Sequence, residues 1–269
     1  MTKTKVWDYL MNIVNNNLAV HLTLIDPDPI KQTAQDAGII AKYATEAGTD
    51  AFMVGGSTAY GFLDETIKEI KENTELPVIL FPGTVGGLSK YADAVFFMSV
   101  LNSRNPYYII RAQLIGARAV KEFELEPIGM AYLVLEPGGT AGYMSEAQLI
   151  PRNKPQIAAA YALAAEYIGF KLVYLEAGSG AEKEAPLEMI STVSSAIGIP
   201  LIVGGGIENP EQATAVVRAG ADMVVQGTFV EKTVLKDKGA KLAKVISAMK
   251  NETKTKKLNK YHQKLGIMG

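Results

Sequence analysis

Short apolar segments alternate along the chain with longer segments of helical spacing. An apolar run of four to eight residues bounded by Gly or Pro is typical of a buried strand, and apolar residues three or four positions apart are typical of a helix. The pattern predicts eight strands, in the ranges 19–26, 51–56, 77–83, 94–101, 127–135, one that contains Glu176, 200–207 and 222–229. Predicted helices cover 29–48, 62–72, 106–123, 155–169, 186–197 and 210–220.

Eight strands in order, alternating with helices, predict an α/β protein with a closed (β/α)₈ TIM barrel. The segment TVGGLSKYAD (84–93) after the third strand is too short and glycine-rich for a full helix, so a loop is expected to replace the third helix. The alternative is an open doubly wound sheet, whose first strand is normally followed by a glycine fingerprint. Here the first strand ends in LIDPD (24–28), which favours the barrel.

Composition narrows the class of protein. The chain has 269 residues, of which 48% are hydrophobic and 20% charged, and no Pro/Ser-rich linker divides it. We therefore expect one barrel domain over 1–250 and a basic tail over 251–269. The net charge of −1 gives no general attraction to nucleic acid. The chain has no Cys, which excludes disulfides and thiol catalysis and, with no apolar run of 18 residues, favours a cytoplasmic protein.

The C-terminal segment from 250 onwards is rich in lysine. It carries Lys250, Lys254, Lys256, Lys257, Lys260 and Lys264. Such a segment is usually a solvated helix, with His262 exposed to water. The alternative is a weak peripheral contact with anionic lipid head groups.

The predicted sixth strand ends in a carboxylate. Leu172, Tyr174 and Glu176 share one face of this strand, because residues two apart point the same way. A carboxylate is costly to bury unless it is hydrogen-bonded or used. We therefore predict that Glu176 is functional and that Tyr174 orients it or the substrate. The alternative is that Glu176 only caps its own turn.

Three glycine-bearing turns follow the last three strands: AGSG (177–180), GGG (204–206) and QGT (226–228). Phosphate needs several converging N–H groups, and glycine allows that approach because it has no Cβ. TIM barrels commonly hold phosphate after strands seven and eight. These turns predict a phosphate-bearing substrate, although glycine also serves tight turns that bind nothing.

Oxygen ligands follow the first two strands. Asp26 ends the first strand and Ser57 follows the second, and Mg²⁺ usually takes one or two such groups together with waters and phosphate oxygens. We predict that they hold Mg²⁺ with a diphosphate. Alternatively Asp26 caps a turn and Ser57 caps a helix. His21 lies an odd number of residues from Asp26, so we predict a packing histidine on the other face.

Taken together, the strand ends resemble the geranylgeranylglyceryl phosphate synthase family, in particular its longer-chain group II branch. The motifs are HLTLIDPD (21–28), AFMVGGS (51–57), PVILFPG (77–83), SVLNSRNP (99–106), YLVLEPGGTAG (132–142), YLEAGSGA (174–181), IVGGGI (202–207) and VVQGT (224–228). The resemblance implies a Mg²⁺-dependent prenyltransferase of archaeal-type lipid biosynthesis. Its substrates would be geranylgeranyl diphosphate and the sn-3 hydroxyl of sn-glycerol 1-phosphate, and it would form a homo-oligomer, a dimer or a hexamer.

The resemblance also assigns residues. It implies that Asp26 and Ser57 belong to the metal site and that Glu176 is the catalytic acid or base. The residues that it implies for glycerol phosphate are Tyr174, Leu175, Glu176, Ala177, Gly178, Ser179, Gly180, Gly205, Gly206, Gly227 and Thr228.

A twenty-carbon chain needs an apolar groove. The aromatic candidates for its lining are Phe97, Tyr107, Tyr108, Tyr132 and Tyr143. Two other functions stay open. One is a sugar-phosphate isomerase or lyase on the same barrel, which typically uses a central Lys, Cys or pair of Asp residues. The other is a phosphate-binding protein without catalysis, which would not need Glu176 beside Tyr174.

Overall fold

A computed structural model describes residues 5–16, 18–28, 30, 32–56 and 62–264, with side chains as far as residue 252. Eight parallel strands close into one barrel in chain order. They are β1 Val20–Ile25, β2 Ala51–Val54, β3 Val78–Leu80, β4 Ala94–Val100, β5 Glu126–Val134, β6 Leu172–Glu176, β7 Leu201–Gly204 and β8 Met223–Gln226. The pairing of β1 with β8 closes the ring, for example Thr23 with Gln226. The predicted TIM barrel is confirmed.

Helices surround the barrel: α1 Val6–Asn15, α2 Ala34–Ala47, α3 Leu63–Asn73, α4 Ala112–Glu122, α5 Gly139–Met144, α6 Pro155–Ile168, α7 Leu187–Ala196, α8 Pro210–Ala219, α9 Thr228–Asp237 and α10 Ala240–Lys264. The prediction began α2 at residue 29, five residues too early. Thr33 and Asp36 form a reciprocal capping box that starts this helix at Ala34.

The third helix of the repeat is replaced, as predicted. Between β3 and β4, residues 81–93 hold a single 3₁₀ turn, Val85–Gly87. The barrel wall is therefore not covered by a helix at this point. The hollow that results is bounded by the 3₁₀ turn, β4 and α4.

The connection after β5 contains a helix that the sequence pattern did not predict. Residues 139–144 form the short helix α5, whose last turn is held by the bond from Ser145 Oγ to the Ala141 carbonyl (2.6 Å). The sequence GTAGYM of this helix gives no local helix signal, because its N-cap Gly138 has no capping side chain and its two glycines disfavour helix formation. The predicted helix 106–123 also begins with a π-helical turn, Tyr107–Arg111, before α4.

The strands separate two apolar cores. Inside the barrel lie alternate residues such as Leu22, Met53 and Tyr174, while Val173 and Leu175 pack outward against the helices. This confirms the predicted facing of the sixth strand. Helix α1 was not predicted, and its buried Leu10 joins the inner core.

Lys250 belongs to the fold and not to a solvated tail, so this part of the prediction was wrong. Its Nζ lies 2.7 Å from Asp50 Oδ1 and 2.9 Å from the Gly48 carbonyl oxygen. The tail interpretation failed because the lysine contacts a turn 200 residues away in sequence. The side chains of the remaining lysines and of His262 lie outside the described residues. In the described part of the chain, no helix is long and apolar enough to cross a membrane.

Candidate active site

Glu176 lies at the carboxyl end of β6 and is 6% exposed. Its Oε2 accepts a hydrogen bond from the Tyr132 hydroxyl (3.0 Å), and its Oε1 accepts one from the Gly178 N–H (2.6 Å). Burial raises the pKa of the Glu176 carboxyl, and the bonds from Gly178, Tyr132 and Tyr174 partly oppose that rise. The turn-capping contact that we considered from the sequence is therefore present, but it engages only Oε1, whereas Oε2 accepts from the Tyr132 hydroxyl.

Two tyrosine rings bring their hydroxyls to this carboxylate. The rings of Tyr132 and Tyr174 are 5.0 Å apart, and Tyr174 also stacks on Phe81 at 5.9 Å. Burial raises the pKa of both phenols well above the ordinary value, and the Glu176 carboxylate raises it further. Both phenols are therefore donors at neutral pH. Gly204 makes room for this arrangement, because a Cβ there would overlap the Tyr174 hydroxyl.

The three glycine-bearing turns come together in one cleft beside Glu176. The cleft encloses about 430 Å³ including its open mouth. It is lined by Leu24, Tyr174, Glu176, Ser179, Gly180, Gly205, Gly206, Ile207, Glu208, Val225, Gln226, Gly227, Thr228 and Phe229. None of these described lining residues is Lys or Arg. An anion in the cleft would therefore depend on backbone N–H groups and on the hydroxyls of Ser179 and Thr228, which lie 3.2 Å apart.

Glycine is required at two positions of this cleft by packing alone. Gly205 and Gly206 have φ values of +87° and +71°, which side chains rarely adopt. A Cβ on Gly206 would lie 2.5 Å from the carbonyl carbon of Lys183, and one on Gly205 would lie 2.6 Å from the Gly178 carbonyl oxygen. These glycines would be needed even without a ligand. The cleft itself, and not the glycine content, is the stronger argument for phosphate.

Asp26 follows β1; the residue as a whole is partly buried, and its Oδ1 is buried. A Cβ on Gly56 would lie 2.7 Å from Asp26 Oδ1, so the glycine lets the strand ends approach each other. Ser57, the second predicted ligand, lies outside the described residues. Among the residues that the structure describes, no three His, Asp or Glu side chains form a metal-binding group. One carboxylate still fits Mg²⁺, which commonly keeps waters and takes substrate phosphate oxygens.

An apolar groove runs away from the barrel mouth on the side of Tyr132. It consists of two hollows of about 470 and 490 Å³, open volume included, which share Gly83, Thr84, Met98, Val100 and Tyr108. Tyr132 lines the first hollow and Phe97 the second. Tyr107 packs edge-on against Tyr108 at 5.1 Å. Tyr143 is 85% exposed and lines neither hollow.

The sequence treated Tyr132 as a groove residue and missed its bond to Glu176. The register of β5 and β6 places Tyr132 opposite Tyr174. Tyr132 begins the motif YLVLEPGGTAG as Tyr174 begins YLEAGSGA, and Glu176 lies two residues after Tyr174. If β5 and β6 are taken as neighbours with these motifs aligned, Tyr132 is expected near Glu176. The structure thus brings Tyr132, Tyr174 and Glu176 together between the cleft and the groove.

Comparison with known proteins places the chain in a family. The model of the PcrB family matches residues 11–249. The geranylgeranylglyceryl phosphate synthase of Thermococcus sibiricus is 58% identical over 234 residues, which are 86% of this chain and 91% of the relative. The protein of the same name from Methanosarcina mazei is 54% identical over 245 residues, 90% of this chain and 98% of the relative.

A solved structure agrees with these relatives. It is the (S)-3-O-geranylgeranylglyceryl phosphate synthase of Thermoplasma acidophilum in complex with sn-glycerol-1-phosphate. It is 42% identical, covers 92% of this chain and 99% of its own, and superposes with a TM-score of 0.88. The chain therefore belongs to the PcrB family, which confirms the resemblance to geranylgeranylglyceryl phosphate synthases found in its strand-end motifs.

Proposed function

We propose that the protein is a geranylgeranylglyceryl phosphate synthase. It transfers a geranylgeranyl group from its diphosphate to the sn-3 hydroxyl of sn-glycerol 1-phosphate, in the formation of archaeal-type membrane lipids. The observation that carries this proposal is the position of Glu176, buried between a cleft suited to phosphate and an apolar groove. An acid or base at that junction can act on both substrates of a reaction that joins a polar and an apolar molecule.

Glycerol phosphate occupies the cleft. Its phosphate lies among the turns after β6, β7 and β8, where Ser179 and Thr228 supply hydroxyls. Its sn-3 hydroxyl reaches Glu176, which lines the same cleft. The absence of Lys and Arg among the described lining residues makes recognition depend on hydrogen-bond geometry, so the two glycerol phosphate enantiomers are not equivalent.

Glu176 acts as the general base. It takes the proton of the attacking hydroxyl while that oxygen bonds to C1 of the prenyl group. The C1–O bond to diphosphate breaks, and diphosphate leaves with the electron pair. Burial raises the pKa of Glu176 above its ordinary value, which makes its carboxylate a better proton acceptor than an exposed one. The phenols of Tyr132 and Tyr174 orient the carboxylate.

The diphosphate lies at the opposite side of the mouth, near Asp26. This carboxylate would hold Mg²⁺ there together with Ser57, and the metal would neutralise charge that develops on the departing diphosphate. The donor set supports Mg²⁺ because a single carboxylate leaves most coordination positions to water and diphosphate oxygens. The prenyl chain follows the groove past Tyr132 and Tyr108 towards Leu88 and Val120.

The test is product analysis by mass spectrometry. The purified protein is given sn-glycerol 1-phosphate or the 3-phosphate, a mixture of prenyl diphosphates, and Mg²⁺ or a chelator. We expect the geranylgeranyl ether of the 1-phosphate, little product from the 3-phosphate, and none with chelator. Equal rates with both enantiomers, or release of an isomerised or cleaved sugar phosphate, would contradict the proposal.

Four further sequence predictions stay predictions: the homo-oligomer, the absence of nucleic-acid binding, the peripheral membrane contact of the basic tail, and the cytoplasmic location. Light scattering on the purified protein measures the first. Sedimentation with anionic vesicles, with and without residues 253–269, measures the third.

A further inference from the structure

A chain of polar side chains lies in an otherwise apolar layer between the barrel and its helices. It comprises His21, Thr23, Thr49 and Gln226, each of them at most 4% exposed. Their neighbours in this layer are mostly aliphatic, such as Val224 and Ala44. Buried polar groups are costly unless they are hydrogen-bonded. A row of four at one seam of the barrel therefore needs an explanation.

The hydrogen bonds of this row run in one direction. Gln226 Nε2 donates to the Ile207 carbonyl oxygen (2.8 Å), which can only accept. Gln226 Oε1 therefore faces His21 Nε2 (3.1 Å), which must carry the proton. His21 Nδ1 then accepts from the Thr49 hydroxyl (2.9 Å), and Thr49 in turn accepts from Thr23 (3.0 Å). The Thr49 hydroxyl also lies 3.2 Å from the His21 carbonyl oxygen and 3.4 Å from the Ala51 carbonyl oxygen, both longer than its 2.9 Å contact with Nδ1.

This direction requires a neutral His21. Burial, together with a smaller effect of the Lys250 charge, lowers the pKa of His21 to about 4, although the hydrogen bond with Gln226 opposes the shift. The ring is thus neutral at physiological pH. It presents one fixed N–H to Gln226, which prevents the amide of Gln226 from turning over and placing its oxygen against the Ile207 carbonyl.

The row ends at the phosphate cleft. Ile207 follows Gly205 and Gly206 in the turn after β7, and Gln226 immediately precedes Gly227 in the turn after β8. The bond from the Gln226 side chain to the Ile207 carbonyl therefore links the turn after β8 to the turn after β7, on the side that faces the helices. On the outer side, Gln212 Nε2 holds the Gly206 carbonyl at 3.2 Å. Turns built from glycine have few side chains of their own to keep them in place.

We propose that Gln226 is a positioning residue for phosphate recognition and that His21 fixes the orientation of its amide. The bond to Ile207 sets the spacing between the turns after β7 and β8. Their N–H groups are then preorganised for an anion and need not be ordered when it binds. The inference rests on the proposed function, because it takes the phosphate of glycerol phosphate as the ligand of this cleft.

The chain offers a matched control. Gln32 is also a buried glutamine, and its Nε2 donates to the Asp26 carbonyl oxygen at 2.8 Å, on the diphosphate side of the mouth. Gln226→Met and Gln32→Met each remove an amide bond to a backbone carbonyl and keep a side chain of similar length, and Gln226→Met also removes the bond to His21. Gln226→Met loses more stability than Gln32→Met because it removes two bonds, so a positioning role is judged by which substrate each variant binds less well.

The first measurement is titration calorimetry with inorganic phosphate and with sn-glycerol 1-phosphate. For Gln226→Met we expect Kd to rise by roughly fivefold to tenfold for both ligands, the range expected for one lost hydrogen bond. The KM for geranylgeranyl diphosphate should change by less than about twofold, since the bond lies outside that site. For Gln32→Met we expect the opposite pattern. Equal losses in both variants, or an unchanged phosphate Kd in a folded Gln226→Met, would overturn the proposal.

A second variant tests the role of His21 and covers the case in which Gln226→Met does not fold. His21→Phe keeps a ring and removes the N–H that orients Gln226. We expect Kd for both phosphate ligands to rise by about threefold, with the KM for the diphosphate unchanged. If folded His21→Phe binds phosphate with the parental affinity, His21 does not fix the orientation of the Gln226 amide. If the parent protein binds phosphate but transfers no prenyl group, the proposed function fails while this inference stands; a parent that binds neither ligand overturns both.

Discussion

Tyr132 and Glu176 are joined by a 3.0 Å hydrogen bond between the phenol and Oε2 of the carboxylate. The Tyr132 ring lines the apolar groove, whereas Glu176 lines the cleft of the glycine turns. The bond therefore spans the boundary between the sites that we assign to the two substrates. A substitution at Tyr132, on the groove side, can therefore alter the Glu176 carboxylate through this hydrogen bond.

Tyr132→Phe should raise the pKa of Glu176 further, because the lost bond is one that lowers it. A base with a higher pKa is ionised only at higher pH, so the acid limb of the kcat/KM profile should move upwards. We expect kcat near neutral pH to fall by about tenfold, the effect of one hydrogen bond to a charged group. The pH–rate profile measures this, and Tyr107→Phe is the control whose acid limb should stay in place. An unshifted limb in Tyr132→Phe would argue against Glu176 as the titrating base.

Glu176→Gln should lower kcat by roughly 100-fold or more, since the proton acceptor is lost, while the Kd for glycerol phosphate changes little. The same substitution should increase the free energy of unfolding, although it lowers activity. The folded-state pKa of Glu176 is raised, so ionisation opposes folding once the pH rises above the unfolded value of 4.5. The stability of the variant relative to the parent should therefore increase as the pH rises from 4.5 to the raised folded-state pKa, as measured by urea unfolding. A difference that is independent of pH would contradict the raised pKa.

Asp26→Asn and Thr228→Val should impair different substrates. The first should raise the Mg²⁺ requirement and the KM for the prenyl diphosphate, because a charged ligand is lost on that side. The second should weaken glycerol phosphate binding by about fivefold, since a hydroxyl of the cleft is removed. Initial rates with each substrate varied in turn separate the two effects. Gly206→Val is a poorer probe, because its Cβ would collide with the backbone at Lys183 and Glu184. Equal impairment of the same substrate would refute the two-sided mouth.

Lys250→Met should destabilise the protein by about 1–2 kcal/mol, because it leaves the partly buried Asp50 carboxylate without its cation. Lys232→Met is the control: its partner Glu208 is about half exposed, and an exposed pair contributes less than about 1 kcal/mol. Urea unfolding of both variants gives the comparison. Equal effects would mean that Lys250 is as solvated as the tail prediction assumed.

The barrel and much of the site could be predicted from local patterns. Strand runs that end in Asp26, Glu176 and the glycine turns place these groups at one rim, because parallel strands share their carboxyl edge. Tyr174 was placed beside Glu176 by the two-residue period of a strand. Both inferences need only neighbouring residues.

The remaining features depend on contacts between distant segments. The Tyr132–Glu176 bond needs the register of β5 against β6, and the His21–Gln226 bond joins residues 205 positions apart. Lys250 was misplaced for the same reason. Helix α5 was missed because its glycines and missing cap give no local signal, whereas the contact of its Ala141 with the inner core joins segments distant in sequence.

The stretch of barrel wall between β3 and β4 that no helix covers separates the residues that set the length of the apolar groove from those that form the glycerol phosphate cleft. The far end of the groove is formed by Leu88, Gly116 and Val120, on segments that contribute nothing to the glycerol phosphate cleft. A Cβ on Gly116 would already lie 3.4 Å from Leu88 Cδ1, so one larger side chain there shortens the hollow. Under the proposed function, the length of the accepted prenyl chain can therefore change by single substitutions at this end of the groove, while Glu176, the tyrosines and the anion cleft stay constant.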